Sequence, residues 1–463
     1  MMRTQGHSDQ DIGQRVLVIG GGASGVLFSS CVLRDPDCLT SVTLIEKRST
    51  VGLGAAYSTD HPNHLLNVRA ANMSAFADDP GHFVRWLEAA ASDGENAAFG
   101  VGDFVARCTY GRYLNSLVSP YIGNSAGAAK MEVVSGVATA ITKTAHGVLV
   151  RLADGATLSG DAAVICTGFD EPTDQIPPYS SAWSRPANLG LAPSDAILIL
   201  GTGLTMVDVV LSLRSSGHSG PIVALSRRGL LPLPHTSSIG GQLFAEDVPV
   251  GQSVVTLMRW LRQNARDAIA AGDDWRKAVD ALRPFTSQIW FHLPLDSKRR
   301  FLRHARAWWD IHRHWMAPSV ANEIAAAKVS GQLRIVAGRI MHTELRGGRA
   351  LVTYQPRGEK TTTSELYSRI INCSGMHTDP LRQDNPLVQS LISQGLARVD
   401  PLGIGLDIAP DLAILSSDGT PSDRIFALGP VTRATFWEST AVPDIRVQCQ
   451  KLASRLTLAP MTA

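Results

Sequence analysis

No two of the six cysteines in this 463-residue chain stand as C-x-x-C. Without such pairs no thiolate zinc site and no disulfide framework is expected, which points to a reducing compartment. No apolar run approaches twenty residues, so no membrane span is predicted. Residues 1–14 are polar and hold no apolar stretch of the secretory kind, so a cytoplasmic location is the expectation. Charge of one sign is lacking too. The 43 Lys and Arg nearly balance 41 Asp and Glu, leaving +2, which gives no global attraction to nucleic acid or to an acidic partner. Metal ligation finds no pattern either. His61 and His64 stand three apart, but Pro62 lies between them and no carboxylate pair follows, so they read as loop histidines. His312 and His314, two apart, would face away from each other on a helix. What remains is a chain 44% hydrophobic and 18% charged, long enough for two or three globular domains.

The stretch that organises the chain is Val16-Leu17-Val18-Ile19-Gly20-Gly21-Gly22-Ala23-Ser24-Gly25. Four apolar residues run into glycines spaced G-x-G-x-x-G, which predicts a buried parallel strand turning tightly into a helix. Gly20 permits the turn. Gly22 admits a pyrophosphate at the helix N-terminus, beside Ala23 and Ser24. Gly25 lets helix and strand pack closely. Residues 41–45 read as the second strand, and Glu46, followed by Lys47, ends it. A carboxylate there accepts the hydroxyls of an adenosine ribose. A glycine-rich loop, Val51-Gly52-Leu53-Gly54-Ala55-Ala56-Tyr57, follows. Helices are expected over residues 81–91 and 110–121.

An internal repeat comes next. Residues 131–137 form a strand, 147–152 a hairpin, and 162–169 a buried strand ending Cys166-Thr167-Gly168. Two hundred residues later the pattern returns at 333–338, 350–354 and 369–376, ending Cys373-Ser374-Gly375. The second copy has its own nucleotide turn, Gly201-Thr202-Gly203-Leu204-Thr205-Met206, in which Met206 replaces the third glycine and should hold the helix further from its strand. Its second strand, 222–226, ends not in an acid but in Arg227-Arg228. Two guanidiniums suit a 2′-phosphate. The first turn therefore reads as a site for an unphosphorylated adenosine and the second as one for NADP. Two nicotinamides would gain nothing from each other, whereas a flavin gains a hydride from NADPH. FAD in the first site and NADPH in the second are the cofactors expected.

Residues 172–194 are rich in Pro and Ser and read as a linker. Six of the nine tryptophans fall between about 245 and 330, in helical patterns that predict an insertion. Arg299, Arg300, Arg303 and Arg306 lie off its apolar face. Either they are a solvated basic face, or the insertion roofs the active site and binds an anionic substrate or a nucleotide phosphate. A last buried strand ends at Leu428-Gly429-Pro430, and a helix follows Pro443. The fold class expected is α/β: two Rossmann-like dinucleotide-binding domains, for FAD and NADPH, with a helical insertion in the second. The expected division is 12–190 for the first part of the FAD domain, 191–376 for the NADP domain and 377–463 for the returning part of the FAD domain.

The order of these motifs resembles the two-dinucleotide-binding-domain flavoproteins. His64-Leu65-Leu66-Asn67-Val68, Met73-Ser74-Ala75-Phe76, Gly201-Thr202-Gly203-Leu204-Thr205-Met206-Val207-Asp208 and the stretch from Thr435 to Arg446 are similar to FAD/NAD(P)-binding proteins related to bacterial N-hydroxylating monooxygenases. The resemblance implies FAD contacts at Thr167, Gly168 and Gly429, and NADPH contacts at Ser374 and Gly375. It implies Asn67, Met73, Ser74 and Trp437 near the flavin ring. It also implies hydride transfer from NADPH and hydroxylation of a small molecule, an amine or amino acid, with O2. The alternatives are an NADPH-dependent reductase or dehydrogenase with another acceptor, or a non-catalytic flavoprotein partner. Three departures stand out. There is no C-x-x-C for dithiol chemistry. Residues 169–186 lack the histidine of the Baeyer-Villiger fingerprint. Gly429-Pro430 replaces the Gly-Asp of many relatives.

Overall fold

The computed structural model describes residues 13–35, 37–92, 99–123, 131–168, 178–184, 186–236, 241–375 and 379–458. Most of the 169–186 stretch, and Met376, lie outside them. The apolar run at 16–19 forms β1 (Arg15–Ile19), and the glycines turn it into α1 (Ala23–Leu33) and on to β2 (Ser41–Glu46). The two strands pair in parallel, Val16 beside Val42 and Ile19 beside Ile45, and are buried on both faces, as central parallel strands must be. Three helices follow: α2 (Gly54–Tyr57), α3 (His82–Ser92) and α4 (Arg107–Val118). Then come β3 (Met131–Ser135), an antiparallel trio β4 (Ala138–Lys143), β5 (Val148–Leu152) and β6 (Thr157–Gly160), and β7 (Ala162–Ile165), which returns beside β1.

The second unit repeats this plan. It contains β8 (Tyr179–Ser181), β9 (Ile197–Leu200), α5 (Leu204–Ser215) and β10 (Ile222–Ser226). The helices α6 (Val254–Ala270), α7 (Arg276–Ala281), α8 (Thr286–His292), α9 (Leu295–Arg300), α10 (Arg306–Arg313) and α11 (Pro318–Val329) follow. The unit closes with β11 (Leu333–Arg346), β12 (Arg349–Pro356), β13 (Thr363–Tyr367) and β14 (Arg369–Asn372). The chain then adds α12 (Pro386–Ser393), β15 (Ala413–Leu415), β16 (Pro421–Ala427) and α13 (Val442–Leu458). The sheets run β15-β16-β7-β1-β2-β3 and β13-β12-β11-β10-β9-β14-β8. The shared order β7-β1-β2-β3 and β14-β9-β10-β11 is the repeat seen in the sequence. β16 joins the first sheet beside β7, and α13 packs on α1.

Three features differ from the expectation. In the second copy β11 runs unbroken from the parallel sheet into the antiparallel hairpin, with a register shift between Ile340 and His342, where the first copy divides into β3 and β4. α11 is not part of the insertion. Its Val320, Ile324 and Ala327 pack with Val207 and Leu211 of α5, so it is the crossover helix that parallel β10 and β11 require. β8, from the stretch expected in the first domain, pairs with β14 in the second sheet.

The third position of each turn fixes how close its helix comes. A Cβ on Gly25 would lie 2.0 Å from the Gly20 carbonyl oxygen. Met206, its counterpart, is wholly buried in the second core, so that helix makes no such approach to its turn. Gly25→Ala is expected to destabilise the protein by about 3 kcal/mol or more, because the obstructing atom is backbone. Gly203→Ala, whose Cβ would meet nothing within 4 Å, should cost under about 1 kcal/mol. Urea unfolding of the two variants measures the contrast.

Candidate functional site

At the C-terminal ends of β1, β2 and β7 lies a cleft of about 500 Å³. Gly20 sits at φ +106°, and a Cβ there would come within 2.5 Å of the Cys166 carbonyl oxygen. That contact packs the two strand tips together and aims the start of α1 into the cleft. Gly22 begins the helix with no side-chain cap, so the N-terminal turn presents backbone N–H groups to an anion. Ala23, Ser24, Lys47, Thr167 and Gly168 line the cleft with Gly20 and Gly22. Glu46 also lines it and is 6% exposed. The Glu46 Oε2 accepts from the Gly21 N–H at 2.5 Å and Oε1 from the Arg48 N–H at 2.9 Å. The donor set and the distal carboxylate fit a dinucleotide with its pyrophosphate at α1 and a ribose at Glu46.

Gly25 and Gly429 do not line this cleft. Gly25 is a packing residue, and the Gly429 N–H donates to Gln448 Oε1 at 3.0 Å, tying the tip after β16 to α13. The sequence reading missed several lining residues: Gly54, Tyr57, Trp183 and Asn385, and Thr440, Val442 and Ile445 around the start of α13. Gly54 and Tyr57 lie in the glycine-rich loop, and Thr440, Val442 and Ile445 in the stretch that carries the family resemblance; Trp183 and Asn385 had no signal.

The second turn copies the first. Gly201 has φ +106°, with its Cβ position 2.3 Å from the Cys373 carbonyl oxygen, and Gly203 starts α5 without a side-chain cap. Leu204 packs partly into the second core. Ser374 and Gly375 are exposed at the tip of β14, where Asn372 Oδ1 accepts from the Ser374 N–H and hydroxyl. Arg227 is exposed beside the turn, whereas Arg228 donates to the His304 carbonyl at 3.2 Å in the insertion. Thr205 lines a neighbouring cavity of about 530 Å³ that shares Arg48, Ala55, Ala56 and Trp183 with the first cleft.

The seam between the two units runs along that cavity. Arg107 pairs with Asp208 at 2.8 Å. His64 hydrogen-bonds through Nε2 with the Asp208 carbonyl and Ser212 Oγ, and His61 with Ser215 Oγ. The two loop histidines stack at 4.5 Å, and burial lowers both pKa values, so they dock one unit on the other as neutral rings.

The four residues expected near the ring do not line the cleft. The Met73 side chain is buried in the first core, with its carbonyl accepting from the Tyr110 hydroxyl. Ser74 is also buried, and its carbonyl accepts from Arg446. The Asn67 carbonyl bonds with His235 Nε2 at 3.0 Å. Trp437 packs instead against Trp290, ring centroids 4.5 Å apart and tilted by 31°. These stretches serve tertiary contacts that local sequence does not encode.

The insertion is fastened over the start of α13. Trp290 Nε1 donates to the Ala434 carbonyl at 2.8 Å, Trp309 Nε1 to Glu438 Oε1 at 3.0 Å, and Arg313 to Glu438 Oε2 at 2.7 Å. The Arg313 and Glu438 side chains are 6% and 3% exposed. Burial holds the His314 imidazole down at about 4 and pushes the Asp444 carboxyl up to about 6, against the pull of Arg283. A carboxyl raised in this way favours the fold below its ordinary 3.8 and loses that advantage as pH rises through 6. Asp444→Asn is therefore expected to raise stability at pH 8 by about 2–3 kcal/mol, from roughly two pH units at about 1.36 kcal/mol each, and to change it little at about pH 4. Urea midpoints at the two pH values check this.

Residues 17–170 match the model of a family described as FAD-NAD(P)-binding. No curated protein sequence matches the chain. Solved structures do. One is an ornithine N-hydroxylase from Kutzneria sp. 744, at 14% identity over 96% of this chain and 99% of that one, TM-score 0.63. A cadaverine monooxygenase of desferrioxamine biosynthesis from Erwinia amylovora matches at 12% identity over 97% and 96%, TM-score 0.65. L-lysine 6-monooxygenase from Pseudomonas syringae matches at 15% over 96% and 99%, TM-score 0.62. Residues 17–170 thus match an FAD-NAD(P)-binding family model, and the whole chain shares the fold of these three solved structures.

Proposed function

We propose that this chain is an FAD-dependent oxidoreductase that takes hydride from NADPH and uses O2 to hydroxylate a small amine or amino acid. The observation that carries the reading is the pair of like turns with unlike strand ends. Glu46 closes one turn and Arg227 with Arg228 close the other, which suits two different nucleotides. Gly20, Gly22, Ala23 and Ser24 hold the FAD pyrophosphate, Glu46 and Lys47 its adenosine end, and Thr167 and Gly168 the adjoining cleft wall, with Gly429 behind. Gly201, Gly203, Leu204 and Thr205 hold the NADPH pyrophosphate, Arg227 and Arg228 its 2′-phosphate, and Ser374 and Gly375 the far lip.

Bound FAD supplies hydride acceptance and the transfer of electrons to O2. The chain's own contribution is positioning. The N-terminus of α13 meets the cleft at Val442 and stabilises negative charge there. The insertion, bonded to Glu438 through Trp309 and Arg313, braces the segment leading into α13.

Two measurements test this. FAD-loaded protein turning over NADPH with a panel of amines and amino acids should convert one of them to a hydroxylated product matched by oxygen uptake. Hydrogen peroxide matching NADPH consumption with every compound would contradict the monooxygenase reading. Arg227→Ala should raise KM for NADPH about tenfold or more, equivalent to about 1.4 kcal/mol, while moving that for NADH less than about twofold. Equal effects would remove the 2′-phosphate assignment.

A further inference from the structure

Helix α6 is seventeen residues long, yet Val254 at its start is its one buried residue. Leu257, Met258, Trp260 and Leu261 follow on its apolar face and stay half-buried. All four line a cavity of about 90 Å³, whose opposite walls include Ile289 and Trp290 of α8, Phe301, Trp309 of α10, and Trp437. The one hydroxyl in the lining, that of Thr286, donates to the Leu282 carbonyl at 3.3 Å. The N–H groups of Trp290 and Trp309 are spent outside the cavity, on the Ala434 carbonyl and Glu438. A cavity walled in this way gives a polar molecule almost no partners and water too few to hold it. Apolar walls held apart forgo dispersion contacts, which an apolar guest restores.

Size narrows the guest. An apolar cavity of roughly 150 Å³ takes benzene, and this one is smaller. It has room for a short alkyl chain and not for a segment of protein. Position says what the guest would affect. Trp290 and Trp309 are the residues whose N–H groups hold Ala434 and Glu438, and Trp437 stands in the chain between those two. Thr440 and Val442, a few residues on, line the first cleft. A guest that shifts these rings therefore shifts the segment that walls the cleft.

We propose that the cavity under α6 is a binding site for the alkyl chain of a small aliphatic molecule, and that its occupancy is felt at the first cleft through Trp290, Trp309 and Trp437. The site lies in the helical insertion and goes beyond the hydroxylase reading, on which its binding of a ligand does not depend. Affinity there should follow buried length, about fourfold for each methylene that leaves water, until the cavity is full.

The test uses oxidised, FAD-loaded protein without NADPH, titrated with the straight-chain alcohols from 1-propanol to 1-heptanol and with 1,6-hexanediol, which has no apolar end. Tryptophan fluorescence and visible flavin absorbance are followed together. The alcohols are expected to give saturable fluorescence changes, each about fourfold tighter than the one before and then levelling, with the diol at least tenfold weaker than 1-hexanol. The flavin spectrum should shift with the same midpoint. Leu257→Phe, which fills the cavity, should weaken 1-hexanol binding about tenfold or more, and Leu257→Ala, which enlarges it, should move the levelling to a longer alcohol. The chain-length series needs no variant, so a misfolded one leaves the test intact. A linear, unsaturable response overturns the proposal, as does affinity indifferent to chain length, equal binding of hexanol and hexanediol, or binding untouched by Leu257→Phe. Saturable binding with an unmoved flavin spectrum overturns the link to the cleft. Because these titrations involve no turnover, their failure leaves the hydroxylase reading standing, and intact alcohol binding beside NADPH consumption that yields only peroxide counts against that reading instead.

Discussion

The contact on which this structure depends is a backbone one, made twice. The carbonyl oxygens of Cys166 and Cys373 occupy the space where a side chain on Gly20 or Gly201 would begin. Because each strand tip is pressed against its neighbour, the chain must leave at positive φ, and the following helix starts at the cleft floor with Gly22 or Gly203 as its uncapped end. Everything that makes a nucleotide site, from the free N–H groups to the nearby strand-end side chain, follows from that turn. The two copies then diverge at single residues. Glu46 ends one second strand and Arg227 follows the other; Gly25 packs α1 tightly and Met206 fills the space under α5.

A second constraint places the insertion. Glu438 is almost wholly buried and receives one donor from Trp309 and one from Arg313, both from α10. A buried ion pair adds little net stability over an apolar substitute, but removing one partner is expensive. Its effect here is positional. It fixes α10 against the segment leading into α13 and so sets the wall of the first cleft on that side. Arg228, bonded to the His304 carbonyl, ties the same insertion to the second turn. The insertion therefore touches both nucleotide units, and the seam of Arg107, Asp208, His61 and His64 joins them separately.

Most of the fold was legible in the sequence because its signals are local. Glycine spacing, apolar runs and the residue after a strand belong to one βαβ unit each, and their repetition exposed the second copy. The lining residue Glu46 followed from the same spacing, and Thr167 and Gly168 from the family resemblance. What the sequence withheld depends on distant partners. The middle glycine of the triplet, Gly21, carries no local signal, yet a Cβ there would lie 2.9 Å from that of Glu46, a contact between residues twenty-five apart. α11 carried the same helical pattern as the insertion and is distinguished only by packing on α5. Met73, Ser74 and Trp437 sit in motifs near the cleft in sequence, but tertiary bonds to Tyr110, Arg446 and Trp290 turn them elsewhere. The charged cluster around Glu438 gathers residues from 283 to 444, and no spacing rule joins them.

The central claim is that the second turn presents NADPH to a flavin held by the first. Anaerobic rapid mixing of the FAD-loaded protein with NADPH, followed by visible flavin absorbance, addresses it most directly. The account predicts rapid bleaching with no partner protein present, and much slower bleaching by NADH at the same concentration. A flavin that stays oxidised in excess NADPH would contradict it.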